Sequence, residues 1–484
     1  MTPARLRVRA ALAWLGRFPR DGRDAFLLAA GAGTVIGLLL VAFVLGHDNV
    51  MDGPFGGVAQ DGYLELARSL VRGDGYVFEP GGDAVSHRPP LYPLLLVPVV
   101  LLPEAWQRPA LVVLQSLLLG AICASTFRLA ARWFGEGTAR VATRLLLIDP
   151  WLYWMTTVPM VPLLQTALYL WLVRLLFAWG PGSRVASPSL LAGVVAGALA
   201  LTHGSMLLTI PLLFGVAGVV ALRRDPAALR KLALASLLIV ACVAPWTARN
   251  WMVFHRLIPV ASNAGFAYFA GSAHWGQGPL SGKSPPEEIW GAPAGAEGLY
   301  MAGVAETYEE ASHYYGLRDV ELDARLGRLA LAHAREDLPR LFTKIALNGL
   351  ENYFPIVFPL VRGSQPTALE RVLGSPMRLL RSAFYLAWWV LALVALLRPP
   401  KDRRLELALI VAALLVFVVP YLPFLTFIAH SMYNFGSLPY LAILAGLGWR
   451  VLFGGAESLA SPQPPRAPAA SAPRAPQPPA PRAA

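Results

Sequence analysis

A carboxylate and a guanidinium stand out in the polar stretch that follows the first apolar run of the chain. Asp61 lies just before a segment in which Leu64, Ala67 and Leu70 recur at helical spacing, and Arg88 lies farther along the same stretch. A carboxylate at the start of a helix can act as a general base, or it can cap the helix by accepting backbone N–H bonds. The local sequence leaves both interpretations of Asp61 open.

The surroundings of Arg88 favour a contact with phosphate. Pro89, Pro90 and Pro93 stiffen the backbone that follows it, so we expect its side chain to be held close to the lipid headgroups. An arginine fork can bind two phosphate oxygens at once. Arg88 therefore either binds the phosphate of a specific substrate or contacts the phosphates of ordinary lipids.

The composition places these residues in a membrane protein. Of the 484 residues, 56% are hydrophobic and 14% are charged, whereas soluble domains average about 25% charged residues. The mean hydropathy is +0.52. Disordered, collagenous and disulfide-scaffold proteins are excluded, and the two cysteines, Cys123 and Cys242, fall inside apolar runs where neither a disulfide nor a thiolate metal site is expected.

Apolar runs long enough to cross a bilayer predict an all-α bundle of about ten transmembrane helices, with the number open between eight and thirteen. A run at 91–102 is short and rich in proline, and it predicts either a re-entrant or interfacial helix or an eleventh span. The first run lacks a convincing cleavage site and is interpreted as a retained anchor. The predicted spans are 24–45, 109–131, 138–154, 159–178, two within 187–222 that break near His203, 231–246, 381–397, 405–423 and 436–453.

The charge distribution predicts the orientation of the bundle. The chain carries a net charge of +12, and its basic clusters fall at the N-terminus and then in alternate loops, as expected if both termini are cytoplasmic. The segment 251–344 instead holds eleven acidic and eight basic residues, which places it outside. The positive charge is therefore mainly a topology signal, and no nucleic-acid partner is expected.

Two long segments are predicted on the outer face, at about 46–108 and 249–377, within a membrane domain that covers 1–457. A Pro/Ala-rich tail at 458–484 is predicted to be disordered in the cytoplasm. In the second outer segment, 321–341 is amphipathic, with Leu322, Leu326, Leu329 and Leu338 on one face. This helix either lies on the membrane, caps the site or simply packs on the bundle.

Three stretches in this order carry a family resemblance. They are QDGYLELARSLVRGDGY leading into HRPPLYPLLL, then PWTARN followed by SNAGFAYFAGS, and finally LDARLGRLALAHAREDLPRLFTKIALN. Together they resemble the bacterial glycosyltransferases of the C superfamily (GT-C), in particular the branch of protein O-mannosyltransferases, aminoarabinose transferases and RgtA-like enzymes. The resemblance extends over most of 25–455 and implies a GT-C bundle.

The resemblance implies an activity at the outer face of a bacterial cytoplasmic membrane. Members of the family pass a sugar from a polyprenyl-phosphate donor to an acceptor in the cell envelope. Asp61 would deprotonate the acceptor hydroxyl in an inverting reaction, and Arg88 would neutralise the departing phosphate. Arg249, in PWTARN, would bind the phosphate or fix the long outer segment.

Further candidates follow from the same resemblance. In the family, the catalytic acid stands about four residues before the tyrosine of this loop, whereas Asp61 is only two residues before Tyr63. Because of this mismatch, Asp52 is kept as the alternative base. Asp149 is a candidate second acid. No cofactor is implied, and a divalent metal stays open. The candidate substrate-binding residues are Tyr63, His87, His203 and Tyr433.

Two other functions and a degenerate form of the first stay open. A transporter or lipid flippase would need no outer chemistry, but transporters often contain internal repeats and none is visible here. An O-antigen-ligase-like enzyme would place its key basic residues in the late outer segment. A GT-C member that has lost its activity is the third alternative.

Overall fold

A computed structural model of the chain describes residues 18–45, 62–177, 187–224, 228–265, 267–268, 317, 319–336, 338–339, 342, 346, 368–422 and 435–453. Asp52, Asp61, Tyr433 and the predicted tail 458–484 lie outside these residues. The described part is helical, apart from one isolated antiparallel bridge between Val77 and Ala84. It therefore confirms the predicted all-α class.

Fourteen α-helices of the described residues are used below. They are α1 Gly22–Leu40, α2 Tyr63–Arg72, α3 Leu91–Val100, α4 Glu104–Phe134, α5 Glu136–Leu147, α6 Pro150–Trp154, α7 Pro162–Phe177, α8 Ser187–Ala200, α9 Met206–Arg224, α10 Ala228–Phe254, α11 Asp319–Glu336, α12 Ala368–Leu397, α13 Arg404–Val418 and α14 Leu438–Phe453. A π-helical turn, Val41–Leu45, extends α1, and short 3₁₀ turns flank α13 and precede α14.

Among the described residues, seven helices are long and apolar enough to cross a membrane. They contain α1, α4, α9, α10, the second half of α12, α13 and α14. The three other predicted spans correspond to shorter helices: α5 with α6, α7, and α8. The predicted break near His203 is confirmed, since α8 ends at Ala200 and α9 begins at Met206.

Two predicted segments differ in form. The span predicted at 138–154 is divided at Asp149, because Pro150 cannot continue the helical hydrogen bonds and the Asp149 carboxylate instead caps α6. Helix α3 has ten residues and is thus about 15 Å long, half the thickness of a hydrocarbon core. Its length favours the re-entrant or interfacial alternative over an eleventh span.

Helix α14 forms the centre of the bundle. Every residue from Leu438 to Gly448 is buried, and the helix packs against α5 and α12. Helices α1 and α4 pack together on one side, and α8 and α10 on another. A helix that is apolar on all faces can be buried in this way.

Two helices, α2 and α11, lie outside the predicted spans and belong to the two long polar segments. Helix α2 runs from Tyr63 to Arg72, as its apolar spacing predicted, and it packs on α3. Leu64 and Ala67 are buried and Leu70 is half-buried, whereas the predicted face omitted Leu66 and Ser69, which are fully buried.

Helix α11 confirms most of the predicted amphipathic pattern. Leu322 and Leu326 are fully buried and Leu329 is half-buried, whereas Leu338, which lies beyond the bounds of α11, is 52% exposed. Three of the four predicted leucines therefore lie on the buried or partly buried face.

Candidate active site at the outer loops

Arg88 lies at the start of α3 beside the start of α2. Its guanidinium carbon is 5.7 Å from the ring centre of Tyr63, which is a cation–π contact. The Tyr63 ring meets Tyr92 edge-on at 5.1 Å, and the Tyr92 hydroxyl accepts a hydrogen bond of 2.8 Å from Gln115. The predicted residues Tyr63 and Arg88 are thus brought together.

The backbone on the C-terminal side of Arg88 is fixed by Tyr76. The Tyr76 hydroxyl donates to the carbonyls of Arg88 and Pro89, at 3.1 and 2.9 Å. Burial raises the pKa of the Tyr76 phenol well above its usual value, so it stays protonated and remains a donor at neutral pH. The Arg88 carbonyl therefore has a defined position just before the start of α3.

The start of α2 has a conformation that only glycine adopts readily. The cap residue is Gly62, with φ at +68°, and no side chain makes a capping bond there. A Cβ on Gly62 would lie 2.1 Å from the Phe78 ring. Gly62 occupies the N-cap position of α2. Asp61 itself lies outside the described residues, so both interpretations of its carboxylate stay predictions.

Arg249, near the end of α10, contacts the first outer segment. Its Nη1 donates to the Val85 carbonyl and to the Asn250 side chain, both at 2.9 Å. Its guanidinium lies 4.9 Å from the ring centre of Trp246 and 5.5 Å from that of Tyr76. These contacts fix the chain just before Ser86, in the first outer segment. The sequence had predicted that Arg249 would fix the long outer segment instead. Its other predicted role, in phosphate binding, stays a prediction.

Asp319, which the sequence did not single out, lies at the centre of the outer loops. It accepts 2.9 Å hydrogen bonds from the Ser86 backbone N–H, the Ser86 hydroxyl and the Ser262 hydroxyl. His87 Nδ1 lies 3.6 Å from the same carboxylate, and the two serine hydroxyls also contact each other. We call Ser86, His87, Ser262 and Asp319 the Asp319 cluster.

The Asp319 carboxylate is ionised at neutral pH. Burial alone would raise the pKa of this carboxyl, but the ion pair with His87 and the hydrogen bonds from Ser86 and Ser262 outweigh burial. The pKa of Asp319 therefore lies below its usual value. The predicted residue His87 is thus next to Arg88 in the chain and beside a fixed negative charge.

His203 lies in the turn between α8 and α9, close to the start of α3. The Leu201 carbonyl in this turn accepts from the Leu91 backbone N–H at 3.1 Å. The Ser205 N–H donates to His203 Nδ1 at 3.3 Å, which assigns the ring proton of a neutral His203 to Nε2. The ring is 5.8 Å from that of Tyr421. The structure therefore places His203 at the same end of the bundle as Arg88.

Asp149 is separated from solvent. It is 1% exposed, and its two oxygens accept from the Trp151 backbone N–H at 3.0 Å and the Tyr385 hydroxyl at 2.7 Å. Both contacts are within the protein, and a role as a second acid stays a prediction. Among the described residues, no group of three His, Cys, Asp or Glu side chains could hold a metal ion.

Two solved structures are similar to the chain, and both are of ArnT from Cupriavidus metallidurans. The structure bound to undecaprenyl phosphate is 16% identical, covers 87% of this chain and 77% of its own, and has a TM-score of 0.38. The apo structure is 17% identical, covers 93% and 78%, and has a TM-score of 0.37. No protein-family model and no curated protein matches the chain.

Proposed function

We propose that the chain is a membrane glycosyltransferase of the GT-C type, which transfers a sugar from a polyprenyl-phosphate donor to a lipid, glycan or protein of the bacterial cell envelope. The reaction takes place at the outer face of the cytoplasmic membrane, and both termini are cytoplasmic. The observation that carries the proposal is the Arg88 guanidinium over the Tyr63 ring, two residues after Asp61. Because Asp61 precedes Tyr63 by only two residues in the chain, the proposal puts the general base close to this cation.

The proposed reaction is a single inverting displacement. The Asp61 carboxylate accepts the proton of the acceptor hydroxyl, whose oxygen forms a bond with the anomeric carbon. The bond between that carbon and the phosphate oxygen breaks, and the phosphate leaves with the electron pair. Arg88 stabilises the negative charge on the leaving phosphate, and the Tyr63 ring and the Tyr76 hydroxyl hold Arg88 in place.

The arrangement of the outer segments favours a glycosyltransferase over a transporter or lipid flippase. Segments from four parts of the chain meet around Arg88: the first outer segment, the 201–205 turn, the chain after α10 and the start of α11. The Leu91–Leu201, Ser86–Ser262 and Ser86–Asp319 hydrogen bonds join them. A flippase would need no such ordered polar assembly outside its spans.

The experiment that tests the proposal uses membranes carrying the full chain and a lipid-linked sugar donor. Wild-type membranes should release polyprenyl phosphate and transfer the sugar to envelope material. Asp61→Asn should abolish release at an unchanged protein level, because the amide cannot accept the proton. Asp52→Asn is the matched control and should remain active.

Each other outcome rejects a defined part of the proposal. Full activity of Asp61→Asn with loss in Asp52→Asn would move the base to Asp52. A donor that crosses the membrane with its sugar–phosphate bond intact would indicate a flippase. An O-antigen-ligase-like enzyme would depend instead on basic residues of the long segment, so Arg328→Ala would be inactive and Arg88→Ala active.

A further inference from the structure

The backbone of Asp319 has an unusual conformation for a residue with a side chain. Its φ is +41°, in the left-handed region that favours glycine. Such a conformation persists only where surrounding contacts impose it, and here the hydrogen bonds from Ser86 and Ser262 supply them. The carboxylate is therefore held in one place at the first residue of α11.

The Asp319 cluster restrains the two residues that precede Arg88. The Ser86 N–H donates to Asp319, while the Ser86 carbonyl accepts from the Ser262 N–H at 3.2 Å. Both polar groups of the Ser86 backbone are thus bonded to the long outer segment. On the other side of Arg88, the Tyr76 hydroxyl bonds to the Arg88 and Pro89 carbonyls.

We propose that Asp319 is a positioning residue for the phosphate site: by binding Ser86 and His87 it fixes the backbone from which Arg88 extends. This inference rests on the proposed function, in which Arg88 binds the donor phosphate. It assigns a role to a residue 231 positions after Arg88 in the chain. Docking of α11 then determines how well the donor binds, although α11 does not contribute the phosphate ligand.

The first test measures equilibrium binding of undecaprenyl phosphate to the purified full chain in detergent. Asp319→Ala removes all three hydrogen bonds and should weaken binding at least tenfold. Asp319→Asn keeps the size and can keep hydrogen bonds to the serines but loses the charge that faces His87, so its affinity should lie between those of wild type and Asp319→Ala. Unfolding temperatures of the same samples show that each variant is folded.

Glu321→Ala is the matched control, because it removes an acid from the same first turn of α11. Glu321 is largely exposed and its Arg256 partner is 3.5 Å away, so binding should stay at the wild-type level. Equal affinities for Asp319→Ala and Glu321→Ala would overturn the inference.

The second test restores the connection by a different bond. The hydroxyls of Ser86 and Ser262 touch, so cysteines at both positions can form a disulfide between the two outer segments. Ser86→Cys with Ser262→Cys, added to Asp319→Ala, should recover binding when oxidised and lose it again on reduction. Each single cysteine should give no recovery.

The outcomes distinguish this inference from the proposed function. If Arg88→Ala binds undecaprenyl phosphate as tightly as wild type, the phosphate site is wrong and the inference fails with it. If Arg88→Ala is weak but Asp319→Ala is not, only the inference fails. If the oxidised double cysteine abolishes binding in a chain that retains Asp319, the segments must separate to admit the donor and a fixed positioning role is wrong.

Discussion

The Tyr63 ring holds the Arg88 guanidinium in place and leaves its positive charge available. A cation–π contact contributes about 0.5–1 kcal/mol at an exposed site and orients the guanidinium without neutralising it. The Tyr63 ring that makes this contact is itself nearly fully buried, at 3% exposure, and is braced by Tyr92. The positive charge therefore has a firm position at the outer loops, as a site for a phosphate requires.

Replacing Arg88 should reduce the specificity constant for the lipid-linked donor. A hydrogen bond to a charged group contributes about 1.5–3 kcal/mol, so Arg88→Ala should lower kcat/KM roughly 10- to 100-fold. Arg88→Lys should recover part of the loss, because lysine keeps the charge but lacks the fork. Arg72→Ala in the same outer segment, which breaks an exposed pair with Asp74, is the control and should match wild type.

Gly62 and Gly73 provide a matched pair of substitutions at the two ends of α2. Both have left-handed φ values, +68° and +82°, but only Gly62 has a neighbour that a Cβ would strike. Gly73→Ala should cost about 1 kcal/mol from backbone strain alone. Gly62→Ala should cost about 1–3 kcal/mol more, because the Phe78 ring has to move.

Thermal unfolding in detergent checks this order, and transfer assays on the same samples check its effect on the site. Gly62→Ala should also lose activity while folded, because it displaces the residue that follows Asp61. Equal unfolding temperatures for the two variants would show that Phe78 yields without cost.

Helix α11 is attached to the chain after α10 through a contact between two glycines. The Gly327 position lies against the Cα of Gly265, and a Cβ on Gly265 would be 2.0 Å from the Asp323 carbonyl. Leu322 and Leu326 are fully buried on the same side of the helix. Close approach of the two backbones is thus a condition for the Asp319 hydrogen bonds.

Gly265→Ala should detach α11 from the outer loops. Because the Asp323 carbonyl belongs to a helix backbone, it cannot move aside as a side chain can, and the helix must shift as a whole. Trypsin should then cut faster after Arg325 and Arg328. Gly215→Ala in α9, where nothing lies within 4 Å of an added Cβ, is the control. An unchanged cleavage rate in Gly265→Ala would contradict this packing.

Acid should release the same helix. The pKa of Asp319 is lower in the folded chain than its usual value, so its stabilising contribution is complete above about pH 4 and is lost as the pH falls through the folded pKa. The charged groups that face Asp319 are His87 and, farther away, Arg249. The hydrogen-exchange protection factors of 319–336, which correct for the pH dependence of the intrinsic exchange rate, should therefore fall in acid in wild type. In Asp319→Asn this pH-dependent fall should disappear, and its persistence would assign the transition to another group.

Local patterns predicted the helices well but not the contacts between them. The apolar spacing at Leu64 and Ala67 located α2, and that at Leu322 and Leu326 located α11, because each helix buries one face. Asp319 gave no such signal, since it acts through Ser86, 233 residues away in the chain. Hydrogen bonds over that separation depend on how the bundle brings the outer segments together.

At the scale of the whole molecule, the number of membrane crossings is inferred from the basic loops and the apolar helices together. Helices α7 and α8 have 16 and 14 residues, about 24 and 21 Å, against a hydrocarbon core of about 30 Å. Length, and not apolar character, therefore separates the seven long helices from the shorter ones. The alternation of basic loops predicts that the shorter helices cross as well, which the bilayer can accommodate by local thinning.

The sides of the membrane on which Glu79 and Lys401 lie show whether the shorter helices cross. Between these two exposed residues the described chain contains four long apolar helices, which alone would return Lys401 to the side of Glu79. Crossing by α5 with α6, by α7 and by α8 makes seven passes and places Lys401 on the opposite side. A membrane-impermeant maleimide on intact cells should therefore label Glu79→Cys but not Lys401→Cys, and permeabilised cells should label both.

The unaltered chain is the control, because Cys123 is buried and Cys242 half-buried within α4 and α10. Labelling of both variants on intact cells would mean an even number of passes, either because a shorter helix fails to cross or because α3 crosses too.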